Sequence, residues 1–319
     1  MDMDVVAQNE VLVALGHPDP SERQMALISL EDRVGPESVG ALIRALSDED
    51  AVVRRLALGL LEELGEPRAI PAIIPLLADA DAEVRARAHA ALREFRGEEA
   101  AALMIGAMSH PEAEVRRGVI VGVRECKDAR AIEPLIRALA DDVAAVRREA
   151  VVTLGYLRSA DAVDPLRECL NDSDEQVRRL AVGALGFFNG PALLDDFVRA
   201  LRDASWRVRV EAAIVLGRSA LSGAVPALLA ALSDSYWQVQ KEAIAALGRL
   251  NALAAREHLI RFLSNDSADL RRAAAYALGT IGGNEAISSL KALAGDPDVE
   301  VRKAAAFALS QLFANEKEN

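Results

Sequence analysis

The residues best suited to metal binding or nucleophilic chemistry in this sequence are four histidines and two cysteines. They are scattered along the chain as His17, His89, His110 and His258, with Cys126 and Cys169. No glycine-rich phosphate-binding loop accompanies them. We therefore predict no catalytic residues, no metal site and no cofactor. We expect both cysteines to be reduced, buried thiols that form no disulfide bond.

Arginine and aspartate residues are spaced far more regularly. An arginine, replaced once by glutamine, recurs every 31 residues at Arg23, Arg54, Arg85, Arg116, Arg147, Arg178, Arg209, Gln240, Arg271 and Arg302. We number this residue as position 0 of each repeat. Position −6 is aspartate in seven repeats, namely Asp48, Asp79, Asp141, Asp172, Asp203, Asp234 and Asp296. An aspartate there is suited to cap a following helix and to bind the arginine of an adjacent repeat. The spacing predicts a structural ladder rather than acid–base catalysis.

A fixed period of this length is typical of solenoids, in which stacked units share one continuous core. Ten repeats account for 310 of the 319 residues, so we predict one solenoid over residues 1–315 and a short charged tail at 316–319. Each repeat is predicted to hold a helix A that ends near position −8 and a helix B from about −3 to +10. Apolar residues at −1, +3, +4, +6 and +7 give helix B one buried face. From Gly155 onward position +8 is glycine, which we expect to let the chain turn at the end of helix B.

The balance of charge limits the kinds of partner. The chain carries 49 acidic and 37 basic residues, a net charge of −12. An acidic surface disfavours nucleic acid and anionic membranes, because both require basic side chains for their phosphates. No apolar run approaches the ~20 residues that cross a bilayer, and the N-terminus lacks the features of a signal peptide. We expect a cytoplasmic protein that binds neither nucleic acid nor membrane.

The paired Asp and Arg, the proline in helix A and the Val-Arg opening of helix B resemble a HEAT repeat. The 31-residue period and the wording Val-Arg-x-x-Ala-x-x-Ala-Leu-Gly are similar to the HEAT-like repeats of phycobilisome bilin lyases. This resemblance implies an all-α, right-handed α-solenoid (superhelix) of about ten two-helix repeats, whose second helices line a concave binding groove. HEAT-like deoxyhypusine hydroxylases bind iron through His-Glu pairs. Here the residues after the four histidines are Pro18, Ala90, Pro111 and Leu259, so that motif is absent.

Helix B is expected to expose positions −2, +2, +5 and +9, because these spacings keep one helix face in view. Position +9 is acidic in the first four repeats, at Asp32, Glu63, Glu94 and Glu125, and then becomes Tyr156, Phe187, Arg218 and Arg249. The remaining exposed aromatics on or beside this face are Trp206, Tyr236, Trp237 and Tyr276. Trp, Tyr and Arg dominate interface hot spots. We predict these twelve residues to bind a partner. The alternatives are aromatics that only cover gaps between small residues, and an acidic line that is merely solvated.

Two functions from different classes remain open. The first is a non-enzymatic interaction module, a scaffold or assembly factor that holds another protein or peptide in its groove, with the acidic residues orienting a basic segment. The second, implied by the resemblance, is a subunit of a bilin lyase or isomerase in which Arg218 and Arg249 would bind the propionates of a tetrapyrrole. Phe307 and Phe313 near the C-terminal end leave open a homodimer formed end to end.

Overall fold

The structure is a computed structural model that describes residues 13–31, 34–188 and 190–318, with side chains up to residue 314. These residues form helices and short connections, with no β-strand among them. The chain divides into two compact units, Met1–Pro165 (unit 1) and Leu166–Asn319 (unit 2). Each unit is a stack of two-helix repeats. The prediction of a single domain over residues 1–315 stays a prediction.

Unit 1 contains nine α-helices in the described residues. They are α1 (Pro20–Leu30), α2 (Val39–Ala45), α3 (Ala51–Leu64), α4 (Ile70–Ile73), α5 (Ala82–Glu94), α6 (Gly97–Gly106), α7 (Ala113–Cys126), α8 (Ile132–Ala138) and α9 (Ala144–Leu157). The odd-numbered members are the B helices of repeats 1 to 5. Most A helices open with a 3₁₀ turn, for example Pro36–Ser38. Helix α4 is short because Pro75 has no amide hydrogen, and a 3₁₀ turn over Ile74–Ala78 replaces its second half.

Helix α10 (Val163–Glu168) contains the boundary between the units, and unit 2 continues with nine more helices. They are α11 (Glu175–Leu185), α12 (Leu194–Ala200), α13 (Trp206–Arg218), α14 (Val225–Ala231), α15 (Trp237–Arg249), α16 (Arg256–Phe262), α17 (Ala268–Ile281), α18 (Ile287–Ala292) and α19 (Val299–Glu318). The odd-numbered members are again the B helices. Helix α19 includes residues 316–318 of the predicted tail.

The buried face of helix B agrees with the predicted positions. In α11, positions −1, +3, +4, +6 and +7 are all buried, as Val177, Ala181, Val182, Ala184 and Leu185. The same five positions are buried in α13 and α15. These small and branched side chains pack between neighbouring B helices. Their burial stabilises the stack, because each Å² of apolar area removed from water contributes about 25 cal/mol.

The start of helix B corrects one expectation. The residue that caps the helix is at position −4, not −6: the Oδ1 atom of Asp174 accepts the amide hydrogens of Gln176 and Val177. The aspartate at −6 lies two residues earlier, and Asp172 Oδ1 accepts the amide hydrogen of Asp174. Position −6 therefore shapes the loop that leads into the helix, while position −4 caps the helix where it is aspartate, as at Asp19, Asp50, Asp81, Asp174 and Asp298.

The glycines at position +8 correct a second expectation. Gly217, Gly248 and Gly279 lie inside α13, α15 and α17 and do not form the turn after them. A Cβ atom on Gly248 would lie 3.0 Å from both Cα and Cβ of Ala277 on the next B helix. Only glycine leaves room for the backbones of neighbouring B helices to approach this closely. Gly217, Gly248 and Gly279 are therefore packing residues.

Candidate interaction surface

The Asp–Arg pairs form the predicted ladder. In unit 1 Arg23 pairs with Asp48, Arg54 with Asp79 and Arg116 with Asp141; in unit 2 Arg178 pairs with Asp203, Arg209 with Asp234 and Arg271 with Asp296. Each arginine also donates through Nη1 to the backbone carbonyl at position −6 of its own loop, as Arg209 does to Asp203 at 2.8 Å. The guanidinium groups of these six arginines thus contact structural partners in their own loop and in the next repeat.

The electrostatics of the ladder agree with a structural role. Burial by itself would raise the pKa of Asp234, but the hydrogen bonds from Arg209 and from the amide of Tyr236 outweigh it, and the pKa is lowered. The hydrogen bond from Arg271 is the main reason that the pKa of Asp296 is also lowered. Carboxylates held ionised in this way are poor proton donors at neutral pH.

Among residues 13–31, 34–188 and 190–318 there is no group of three or more His, Cys, Asp or Glu side chains placed to hold a metal ion. His17 and His110 occupy position −6, and their Nδ1 atoms accept the amide hydrogens of Asp19 and Glu112 as the aspartate does elsewhere. Burial raises the pKa of the Cys126 thiol, which makes it a poorer nucleophile.

The most exposed aromatic pair lies at position +5 of the last two B helices. Tyr276 on α17 and Phe307 on α19 have ring centroids 5.7 Å apart with planes inclined by 57°. Their side chains stay 42% and 47% exposed. Position +5 is also apolar, but half-buried, in α13 and α15, where Ile214 and Ala245 occupy it, whereas α11 has Gly183 there. We call the position +5 residues from α13 to α19 the +5 row.

A second aromatic pair lies at the start of the B helices. Trp206 and Tyr236 are stacked, with ring centroids 5.7 Å apart and planes inclined by 14°. The Arg207 guanidinium lies 4.8 Å from the Trp206 ring and that of Arg209 lies 5.5 Å from the Tyr236 ring. Trp206 is half-buried by these contacts. Its ring packs beside the Asp–Arg ladder and is less available to a partner than the prediction requires.

Exposed cationic and aromatic side chains flank the +5 row. Trp237 is 43% exposed, and the Lys241 ammonium lies 6.0 Å from its ring. Arg218 and Arg249 are exposed at the C-terminal ends of α13 and α15 and make no ion pair with any residue that the structure describes. The Arg249 guanidinium lies against Gly217, where a Cβ atom would be 2.9 Å from Nη1. Phe187 is 50% exposed beyond the end of α11.

The predicted site residues of unit 1 are arranged differently. The Lys127 ammonium lies 5.6 Å from the Tyr156 ring. Glu63 and Glu94 are exposed and line one cleft, whereas Glu125 is half-buried with Arg96 at 4.0 Å. The predicted acidic residues at position +9 therefore differ in exposure and in ion pairing. Asp32 lies outside the described residues.

The model of the family described as "HEAT repeats" matches almost the whole chain, at residues 9–93, 70–153, 100–175, 144–217, 163–234 and 225–310. The chain belongs to the HEAT-repeat family. No curated protein sequence matches it. Nor does any helix in the described part of this HEAT-repeat chain combine the length and apolarity needed to cross a membrane.

Solved structures show the same fold at low sequence identity. An engineered protein is similar over 96% of this chain and 99% of its own, with 22% identity and a TM-score of 0.53. The Escherichia coli protein YibA covers 88% of this chain with 97% of its own, at 18% identity and a TM-score of 0.56. Importin beta is similar over 98% of this chain at 17% identity and a TM-score of 0.66, and the match spans 52% of importin beta. These likenesses show an all-helical, solenoid-like fold.

Phe307 lies beside the predicted site residue Tyr276 but is not among the twelve predicted residues. The sequence suggests it only as a dimer contact, although it occupies the same position +5 as Tyr276, one period later. The repeat numbering alone would have paired the two residues. What the numbering does not contain is the exposure of both rings, because most other +5 residues are half-buried.

Proposed function

We propose that this HEAT-repeat chain is a non-enzymatic, cytoplasmic interaction scaffold or assembly factor that binds a partner protein or peptide on the B-helix face of unit 2. The observation that carries the proposal is the exposed pair of Tyr276 and Phe307 on the +5 row. Two neighbouring large aromatic rings with nearly half of their surface in water are costly for a surface that meets only solvent. Covering such rings is the usual source of interface energy.

The side chains around the pair suit a protein partner. Trp237 extends the apolar surface toward the start of α15, and Arg218 and Arg249 border its other end. Aromatic anchors with arginines free to bind carboxylates or carbonyls have the composition of an interface centre. Of the predicted anchors, Trp206 and Tyr236 support the edge of this face from the ladder side, and Phe187 lies in the first repeat of the same unit.

Proteins of the same fold provide further support. Two similar structures are a complex of Kap95 with Nup1 and one of Kap95p with RanGDP, which match this chain at 15% identity each. Those partners belong to Kap95. The likeness adds only that this architecture is used for binding proteins.

A bilin lyase or isomerase subunit is the second candidate. It rests on the wording of the repeats and on the exposed Arg218 and Arg249, which would bind the propionates of a tetrapyrrole. The test is the visible absorption spectrum of a bilin mixed with the purified protein. A red or blue shift that disappears in an Arg218→Ala/Arg249→Ala variant supports this function, and an unchanged spectrum rejects it.

A homodimer through the C-terminal end is a separate proposal. Phe313 is 41% exposed on α19, with the Lys291 ammonium 5.9 Å from its ring. Analytical ultracentrifugation of the purified chain and of a Phe313→Glu variant tests it. A dimer in the first sample that becomes a monomer in the second supports the proposal, and a monomer in both rejects it.

The scaffold function is tested by affinity capture from native lysate with quantitative mass spectrometry. The variant is Tyr276→Ala/Phe307→Ala, and the matched control is Leu253→Ala, an exposed apolar residue of unit 2 in the turn before α16. Proteins enriched by the unmodified chain and by the control, but lost with the double variant, support the proposal. Equal capture by all three folded proteins contradicts it.

A further inference from the structure

Unit 1 has an open cleft across its first three B helices, with a volume of about 730 Å³. Its apolar floor consists of Leu27 and Ile28 from α1 and of Leu56 and Leu60 from α3. Ile28 is 48% exposed. The volume lies within the range of ~300–1,000 Å³ that is typical of ligand sites, so the cleft has room for more than one side chain.

A single glycine creates this cleft. Gly59 occupies position +5 of α3, where α1 has Ile28 and the B helices of the third, fourth and fifth repeats have Ala90, Val121 and Val152. The absence of a side chain at Gly59 leaves position +5 of α3 open. The Arg87 guanidinium fills part of the space, because a Cβ atom on Gly59 would lie 3.1 Å from Arg87 Nη2.

The charge of the cleft is unbalanced. Four glutamates and two arginines line it, which gives its rim a net charge of −2: Glu31, Glu62, Glu63, Glu94, Arg55 and Arg87. Arg87 pairs with Glu62 at 3.0 Å, and Arg55 pairs with Glu83, which lies outside the cleft. This leaves Glu31, Glu63 and Glu94 with no ion pair inside the described residues. Three like charges around an apolar floor repel one another, and a cation placed between them relieves that repulsion.

We propose that this cleft binds a basic amphipathic segment of a partner protein. One or two lysine or arginine side chains of the segment pair with Glu31, Glu63 and Glu94, while an apolar side chain packs on Ile28 and Leu56. The inference deepens the proposed scaffold function, because it assigns to the other unit a second contact of stated chemistry. It differs from a merely acidic surface, since it requires both the carboxylates and the apolar floor.

The test uses two fluorescein-labelled peptides of equal charge and length, one built from lysine and leucine with helical periodicity and one from lysine and serine. Fluorescence anisotropy measures the Kd of each for the full chain. We expect the lysine–leucine peptide to bind at least ~10-fold tighter. The Glu63→Lys/Glu94→Lys variant should weaken its binding at least ~10-fold, because repulsion replaces attraction at the rim.

The matched control is Glu98→Lys/Glu99→Lys on α6, which makes the same change in net charge at exposed carboxylates away from the cleft. We expect it to change the Kd by less than about 2-fold, a difference of ~0.4 kcal/mol. Equal effects of the two double variants, or equal binding of the two peptides, would overturn the proposal. Circular dichroism confirms that each variant is folded.

The outcome can be separated from that of the scaffold function. The Tyr276→Ala/Phe307→Ala variant changes unit 2 only, so the proposal requires it to bind the lysine–leucine peptide as the unmodified chain does. If that variant loses captured proteins but retains the peptide, both proposals stand. If capture is unaffected by it while the cleft variant loses the peptide, the unit 2 surface fails and the cleft stands.

Discussion

Arg209 donates through Nε and Nη2 to both carboxylate oxygens of Asp234, at 2.7 and 2.9 Å, and so joins the B-helix loops of two adjacent repeats. The same guanidinium lies 5.5 Å from the ring of Tyr236, which in turn stacks on Trp206. One arginine thus links the repeats of unit 2 and supports their aromatic edge. Stability and the candidate surface depend on the same contact.

Replacing Asp234 by asparagine should lower the free energy of unfolding by about 2 kcal/mol, since hydrogen bonds to charged groups contribute ~1.5–3 kcal/mol. Asparagine keeps the acceptor for the Tyr236 amide, so the loss reports on the pair with Arg209. Urea unfolding followed by circular dichroism measures it. Asp266→Asn, at an exposed carboxylate of the next loop, should change stability by less than ~0.5 kcal/mol. Equal losses would show that the ladder contributes nothing specific.

The ladder lacks one rung in unit 2, where Gln240 and Asn265 occupy the positions of arginine and aspartate. Gln240 keeps the bond to its own loop, donating to the carbonyl of Asp234 at 2.8 Å. The double substitution Gln240→Arg/Asn265→Asp should restore the rung and raise stability by about 1 kcal/mol, with a favourable coupling energy in a double-mutant cycle. Additive effects of the two single substitutions would contradict this geometry.

Stability should fall in acid because the ladder carboxylates have lowered pKa values. For Asp79, Asp203 and Asp234 burial would raise the pKa, but the hydrogen bonds from Arg54, Arg178 and Arg209, together with backbone hydrogen bonds and the arginine charges, lower it. Above pH ~4, near the pKa of an unfolded aspartate, the full stabilisation is present. It is lost as the pH falls from there through the lower pKa values of the folded state, because the unfolded chain takes up protons first. Urea midpoints measured at a series of pH values check this.

Comparing the unmodified chain with Asp234→Asn separates the loss of stability due to the ladder from that due to His89. Below pH ~6.5 the half-buried His89, whose pKa is lowered chiefly by burial and then by Arg117, also reduces stability because the unfolded chain binds its proton more readily. This contribution is the same in Asp234→Asn. The variant should therefore show a shallower loss than the unmodified chain below pH ~4 only. Parallel curves over the whole range would contradict the assignment to the ladder.

Gly248→Ala should destabilise unit 2 by about 1–3 kcal/mol, because the added methyl group has no room against Ala277. Gly40→Ala on α2 is the matched control, since that helical glycine is exposed and its nearest neighbour is Arg44 Nη1 at 4.0 Å. It should gain up to ~1 kcal/mol from helix propensity. Thermal or urea unfolding measures both. A gain in both variants would refute close packing at position +8.

Much of the fold follows from the period of the sequence. The spacing of 31 residues predicts the start of helix B at Trp206 and Trp237 and its buried positions, because one apolar face at helical periodicity has only one way to meet its neighbours. The spacing does not show which of two neighbouring polar residues caps the helix. Asp172 and Asp174 both suit a helix start, and only the backbone geometry shows that Asp174 is the cap.

The candidate site is harder to predict from the sequence than the fold. Exposure depends on what the next repeat places beside a residue, so Trp206, which reads as a free anchor, is half-buried on Tyr236. Likewise, the missing side chain of Gly59 opens a cleft that no sequence motif predicts. The position of a residue in the repeat predicts the direction of its side chain, whereas its accessibility is set by the residues of the next repeat that contact it and by their size.

The most direct test of the central claim is hydrogen–deuterium exchange of the full chain, alone and with the partner recovered by affinity capture. We expect slower exchange on binding in α15, α17 and α19, around Trp237, Tyr276 and Phe307. The A helices of the same repeats, α14, α16 and α18, should be unchanged and serve as the internal reference. Protection confined to those A helices, or absent from unit 2, would contradict the assignment of the B-helix face as the binding surface.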